Sequence, residues 1–283
     1  MPELVDRHGV TIVYDRTDPA GAPRGVVQLL HGVGEHAGRY AETVAALAGS
    51  GWIVYADDHR GHGRTGMRQH GSADALARLG AGGHAAAVDA VHLVTDVARA
   101  EHPDLPRVLV GHSWGSFLAQ ILFERFPAEY DGVVLIGSAL RWPGDLNAGD
   151  LNARWKGPDA NGVEWISEDP EVQRGFLEDP LTTTTPLAKA FGPWNAAQLF
   201  GRPGRGLRER AGRDVPILAM VGRDDPVGGP RSVFRLADAY RRRSGFSGVT
   251  TLVFDGRHEI LNGFEKEHVR ACLAAWLDAR WPA

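Results

Sequence analysis

The stretch Arg107-Val108-Leu109-Val110-Gly111-His112-Ser113-Trp114-Gly115-Ser116-Phe117-Leu118-Ala119-Gln120 runs from an apolar, β-rich segment through Gly-x-Ser-x-Gly into a helical pattern that continues to Phe126. A tight strand-to-helix turn of this kind projects a serine hydroxyl above a sheet, and its flanking glycines relieve the crowding. The helix that follows presents its N-terminus to negative charge developing nearby. In a chain with 36 glycines the five-residue pattern alone is weak. The strand before it and the helix after it give it weight.

A serine hydroxyl needs a base to become a nucleophile. On this kind of sheet an orienting acid and a histidine follow the serine, on loops after later strands. The run Pro216–Val221 leads into Gly222-Arg223-Asp224-Asp225-Pro226-Val227, which offers Asp224 and Asp225. The run Thr250–Phe254 leads into Asp255-Gly256-Arg257-His258. Alone, an Asp before Pro reads as a turn former and a loop His as solvated. Serine, acid and histidine in the required order point to nucleophilic acyl transfer, with Ser113 attacking and His258 as general base.

Upstream, His31-Gly32-Val33-Gly34-Glu35-His36 follows the strand Val26–Leu30. Such a loop supplies one backbone N–H of an oxyanion hole, and the residue after the nucleophile supplies the other. These donors are assigned to Val33 and Trp114. The same loop fits G-x-G-x-x-A, with Asp57 and Asp58 about twenty residues on, the outline of a dinucleotide site. Glu35 would set an anion beside the pyrophosphate there, and no Tyr is followed four residues later by Lys. That reading also leaves Ser113 and His258 without a role, so no cofactor is expected. No metal is expected either: His258 to Asn262 opens like a zinc-protease motif but has Asn262 where the second His is required. His59, His62 and His70 show no helix or strand period, and Asp58 to His70 is read as a hydrogen-bonded loop.

Apolar runs at Trp52–Tyr55 and Val133–Ile136 complete an alternation of strands with helical patterns, including Ala87-Val91-Val94-Ala98 and Val269 to Trp281. Wholly apolar strands are those buried on both faces. The fold class is therefore α/β, a mostly parallel sheet covered by helices. The alternation stops between Leu140 and Gly206, a stretch rich in Pro, Gly, Asn and Asp with the polar run Thr182–Thr185. Its aromatics Trp142, Trp155, Trp165, Phe176, Phe191 and Trp194 argue for a folded insertion over the ligand edge of the sheet. Residues 1–140 and 207–283 are thus expected to form the core, and 141–206 a cap.

Apolar and charged fractions of 43% and 23% are those of a globular chain, and a net charge of −4 gives no reason to expect nucleic acid. Arg241-Arg242-Arg243 reads as a helix C-terminus. Cys272, the only cysteine, cannot form an internal disulfide and is expected in the core. Neither a signal peptide nor a membrane span is legible, and a cytoplasmic location is expected.

Set side by side, these segments resemble the monoacylglycerol lipase and lysophospholipase branch of the α/β-hydrolases, the serine aminopeptidase S33 group. His31 to Tyr40 matches H-G-x-G-E-H-x-x-R-Y, and Asp58 to Thr65 matches D-x-R-G-H-G-x-S with Thr65 for serine. Gly111 to Ser116 is similar to G-H-S-M-G-G, with Trp114 for methionine and Ser116 for glycine. Gly222 to Val227 resembles G-x-x-D-P-V, which selects Asp225 as the acid, and Arg257 to Asn262 resembles the catalytic histidine segment, with Gly263 where an acid is common. The resemblance implies about eight strands, a cap after the sixth, and hydrolysis of acylglycerols, lysophospholipids or other lipophilic esters, with transient membrane-surface contact through the cap. Trp114 is expected to narrow the acyl pocket. Two alternatives stand beside this reading. One is an aminopeptidase or amidase whose cap acids Glu164, Glu168, Asp169, Glu178 or Asp179 hold a substrate amine. The other is a non-catalytic binding protein on the same fold.

Overall fold

A computed structural model describes residues 2–147 and 149–282, with the side chain of residue 188 undescribed. The expected outer limits at residues 1 and 283, and residue 148 within the expected cap, lie outside the described residues. Strands β1 (Glu3–Val5), β2 (Thr11–Thr17), β3 (Gly25–Leu30), β4 (Trp52–Asp57), β5 (Arg107–His112), β6 (Gly132–Ile136), β7 (Ile217–Gly222) and β8 (Val249–Phe254) form one sheet. Their spatial order is β1-β2-β4-β3-β5-β6-β7-β8, with every pairing parallel except β1 with β2 and β2 with β4.

Helices α1 (Ala41–Gly49), α2 (Gly63–His70), α3 (Gly83–Glu101), α4 (Trp114–Arg125), α5 (Pro170–Glu178), α6 (Leu187–Ala197), α7 (Leu207–Ala211), α8 (Gly229–Arg242) and α9 (Lys266–Asp278) fill the connections. The period of two explains how one strand serves two cores. Val27 and Leu29 of β3, Val108 and Val110 of β5, Val134 and Ile136 of β6, and Leu218 and Met220 of β7 share a core with Leu47 of α1 and Leu273 and Leu277 of α9. The alternate residues Leu30, Leu109, Val133, Leu135 and Ile217 face α3, α4 and α8 through Val91, Leu118, Leu122 and Leu236. Both faces are apolar, so these strands read from sequence as unbroken apolar runs.

Two sequence expectations need correction, and one feature was not anticipated. The segment after Asp58 is not a loop throughout, because α2 begins at Gly63; its period is hidden because Thr65, His59 and His62 are buried as hydrogen-bonding groups. Thr65 Oγ1 accepts from Val13 N (2.9 Å) and pins α2 to β2. Cys272 is half-buried at the edge of a core instead of inside it. The two antiparallel N-terminal strands carry no wholly apolar run and were not anticipated. The basic cluster does close a helix, α8, where Arg241 Nη2 donates to Val249 O (2.6 Å). Among the described residues no helix is long and apolar enough to cross a membrane.

The segment between β6 and β7 carries α5, α6 and α7. Val163, Ile166 and Phe176 form a small core of their own with Trp165. Gly192 (φ 70°) and Pro193 break α6 into two pieces. Trp194 remains 80% exposed, so this aromatic supplies no core to the segment.

Candidate active site

The loops leaving the carboxyl ends of β3, β5, β7 and β8 converge, and they carry the residues singled out above. Ser113 sits between β5 and α4 with φ 53° and ψ −122°, a region non-glycine residues rarely occupy. Close packing holds it there: Ser113 N donates to Ile136 O (2.9 Å), and Ser113 O accepts from Ser116 N (2.9 Å). Ser116, where the family pattern has glycine, adds its Oγ 2.6 Å from the same carbonyl. A Cβ on Gly115 would collide with the Leu30 carbonyl, so α4 can approach β3 this closely only with glycine there.

His258 Nδ1 lies 3.0 Å from Asp225 Oδ1, and both residues are almost fully buried. A carboxylate only accepts, so Nδ1 carries a proton, and in the neutral ring Nε2 is the acceptor. Nε2 is buried without a hydrogen-bond partner. Val227 N donates to Asp225 Oδ1 (2.8 Å) and orients the carboxylate. Asp224 is half-exposed and pairs instead with Arg154 (2.8 Å). No hydrogen bond joins Ser113 Oγ to His258 among the described residues, and such contacts commonly tighten only around substrate. Both residues line one cavity of about 540 Å³, together with Gly32, Val33 and Trp114. The Val33 and Trp114 amides donate to no group among the described residues, and Trp114 begins α4, where helix amides lack intrahelical partners.

Gly137 at the end of β6 has φ 55°, and a Cβ there would lie 3.0 Å from His258 Cε1 and 3.1 Å from His112 Nε2. Gly137→Ala is therefore expected to displace His258 and lower kcat/KM by about 10²-fold. Unchanged kinetics in the folded variant would show that His258 is not seated by this contact.

Trp114 was expected to narrow the pocket, but only 1% of it is exposed. Its indole packs against His62 (ring centroids 4.9 Å apart), Phe191 (5.0 Å) and His59 (5.4 Å), so the ring is buried in this aromatic cluster and hardly projects into the cavity. Burial pushes His62 and His84 down to about 4, so these neighbours of the indole are neutral. Asp57 and Asp58, the acids a dinucleotide site would need, are fully buried and engaged by His59 Nδ1 (2.7 Å) and by Ala37 N (3.0 Å). Glu164, Glu168, Asp169, Glu178 and Asp179, the acids considered for holding an amine, are not among the cavity-lining residues. Asp179 pairs with His36 (2.8 Å), Asp169 caps α5, and Glu168 accepts from Arg257 N (3.0 Å).

One group of described side chains has the spacing of metal ligands: His92, Asp96 and Glu129. Arg99 donates to both carboxylates (2.8 and 3.1 Å) and supplies the positive charge they need.

A polar cluster beneath the site was not recognised from sequence. Glu35 accepts from Gly32 N (2.6 Å), Tyr40 Oη (2.6 Å) and Arg39 Nη1 (2.7 Å). Arg39 also makes a two-pronged bond to Glu259 (2.7 and 2.8 Å), the residue after His258. These buried charges tie the loop after β3 to the loop after β8, and His112 at the end of β5 joins them with Nδ1 3.3 Å from Glu35 Oε1. The signal available in sequence was the i,i+4 pair Glu35–Arg39; its partners lie too far along the chain to be paired by spacing.

The family model described as serine aminopeptidase, S33 matches residues 21–267. The chain belongs to that family. A monoacylglycerol lipase of Mycolicibacterium smegmatis is 33% identical over 95% of this chain and 93% of its own length. The human monoglyceride lipase is 32% identical over 93% of this chain and 84% of its own. Among solved structures, a thermostable carboxyl esterase from Bacillus coagulans, in complex with glycerol, superposes with a TM-score of 0.85 at 25% identity, covering 98% of this chain and 97% of the esterase. The Paleococcus ferrophilus monoacylglycerol lipase, at TM-score 0.67 and 24% identity over 95% of this chain and 98% of its own, shares the fold. The fold is thus that of an α/β-hydrolase.

Proposed function

We propose that this carboxylic ester hydrolase cleaves lipophilic esters of the monoacylglycerol or lysophospholipid kind through Ser113, His258 and Asp225. His258 Nε2 takes the Ser113 proton during attack, Asp225 stabilises the imidazolium, and the Val33 and Trp114 amides hold the oxyanion. Water then cleaves the acyl-enzyme with His258 again as base. The observation that carries this reading is the His258–Asp225 contact at 3.0 Å, with the free Nε2 and Ser113 in one cavity.

Residues 141–206 act as a cap. They give the cavity Leu146, Leu151, Val163, Trp165, Ile166 and Phe176, an apolar wall suited to an acyl chain. Thr183, Thr184 and Thr185 line the same cavity and offer hydroxyls to the alcohol part; Thr183 N donates to Gly34 O (2.8 Å), fixing them beside the oxyanion loop. Trp194, 80% exposed, gives the cap an apolar point on its outer surface for transient contact with a lipid interface.

The test is hydrolysis of p-nitrophenyl esters from acetate to palmitate, beside a panel of amino-acyl naphthylamides. Turnover of medium or long acyl chains above that of acetate, and above the amides, is the expected result. Faster amide cleavage would favour an aminopeptidase.

A further inference from the structure

Three contacts beneath the nucleophile fix a proton count. His112, the residue before Ser113, has Nε2 3.1 Å from the carbonyl oxygen of His258. A carbonyl only accepts, so Nε2 carries a hydrogen. His112 Nδ1 lies 2.7 Å from Tyr40 Oη, and Tyr40 Oη lies 2.6 Å from Glu35 Oε1. Each of these two short contacts needs a hydrogen, and the tyrosine hydroxyl supplies one. The second sits either on Nδ1, making an imidazolium, or on Glu35. Glu35 already accepts from Gly32 N through Oε1 and from Arg39 through Oε2, the pattern of a carboxylate.

We propose that His112 is a buried imidazolium, paired through Tyr40 with the Glu35 carboxylate, and that it serves as a positioning residue for His258. Burial alone would push His112 down and Glu35 up. The hydrogen bond and charge between them outweigh it, leaving His112 above its ordinary range and Glu35 well below. The groups facing His112 are Glu35 from the loop after β3, Tyr40 from the turn that follows, and His258 and Glu259 from the loop after β8, while Arg39 and His31 act on Glu35. Arg39 is shared by Glu35 and Glu259, so among the described residues one carboxylate charge in the cluster has no cation beside it but His112.

Two consequences follow for the reaction proposed above, on which this inference rests. The Nε2–H of His112 holds the backbone of His258 in place. The ring of His112, its centroid 4.7 Å from that of His258, also packs against the base and fixes the plane from which Nε2 meets Ser113.

The first test needs no variant and no substrate. In protein carrying ¹⁵N-labelled histidine, His112 is expected to show two low-field ring N–H protons at pH 8, with both nitrogens in the imidazolium range. The signals are assigned by their loss in His112→Gln. A single N–H on His112 overturns the proposal, whatever the enzyme's activity. In the second test, His112→Gln keeps an N–H for the His258 carbonyl and His112→Leu removes it. kcat is expected to fall about tenfold further in His112→Leu than in His112→Gln, with KM within about twofold of wild type in both. Equal kcat in the two variants overturns the positioning role. Failure of the wild type to turn over any ester would instead count against the hydrolase reading, and the NMR result would stand by itself.

Discussion

Ser113→Ala is expected to lower ester kcat/KM by at least about four orders of magnitude, since nucleophile and base act as a unit. Stability should change little. The Ser113 side chain makes no hydrogen bond among the described residues; the turn is held by main-chain groups, Ser113 N to Ile136 O and Ser116 N to Ser113 O. Alanine keeps the same Cβ at the same φ of 53°, so the variant should unfold within about 0.5 kcal/mol of wild type. Thermal unfolding beside ester kinetics separates the two effects. Residual turnover of more than a few per cent in a well-folded variant would mean that the ester is attacked by something other than this hydroxyl.

The second large effect is a contrast between neighbours. Asp225→Asn is expected to reduce kcat by about 10³–10⁴-fold. Asparagine fills the same space but brings no charge to stabilise the imidazolium, and its amide can favour the wrong histidine tautomer. Asp224→Asn should leave kcat within about twofold of wild type. It loses only the ion pair with Arg154, whose side chains are 50% and 60% exposed, and exposed pairs contribute about 1 kcal/mol or less. Steady-state kinetics on both variants decide the matter, and the opposite ranking would remove Asp225 from the mechanism.

What could be read in the sequence follows from how each element is buried. Strands β3 to β8 contact apolar cores on both faces, so their residues form apolar runs that stand out from the chain. Strand β1 is an edge strand with β2 beside it, and Glu3, Asp15 and Arg16 interrupt any such run. Helix α2 escaped notice for a different reason: its inner face is built from glycines and Thr65, whose burial depends on hydrogen bonds. The candidate nucleophile, acid and base were legible because each follows a strong strand directly. The polar cluster of Glu35, Arg39, His112 and Glu259 was not, since Glu35 and His112 are 77 residues apart and Arg39 and Glu259 are 220 apart. Trp114 shows the limit of reading size from identity. Its bulk is taken up by a pocket among His59, His62 and Phe191, which no spacing in the chain announces.

The central claim is that Ser113 becomes covalently acylated, and it is tested most directly by mapping the site of attack. Wild-type protein is treated with a fluorophosphonate, and adducts are located by mass spectrometry of proteolytic peptides. One adduct is expected, on the peptide containing Ser113, and its formation should be strongly slowed in His258→Gln. Absence of any adduct, or an adduct on another serine with Ser113 unmodified, would contradict the account.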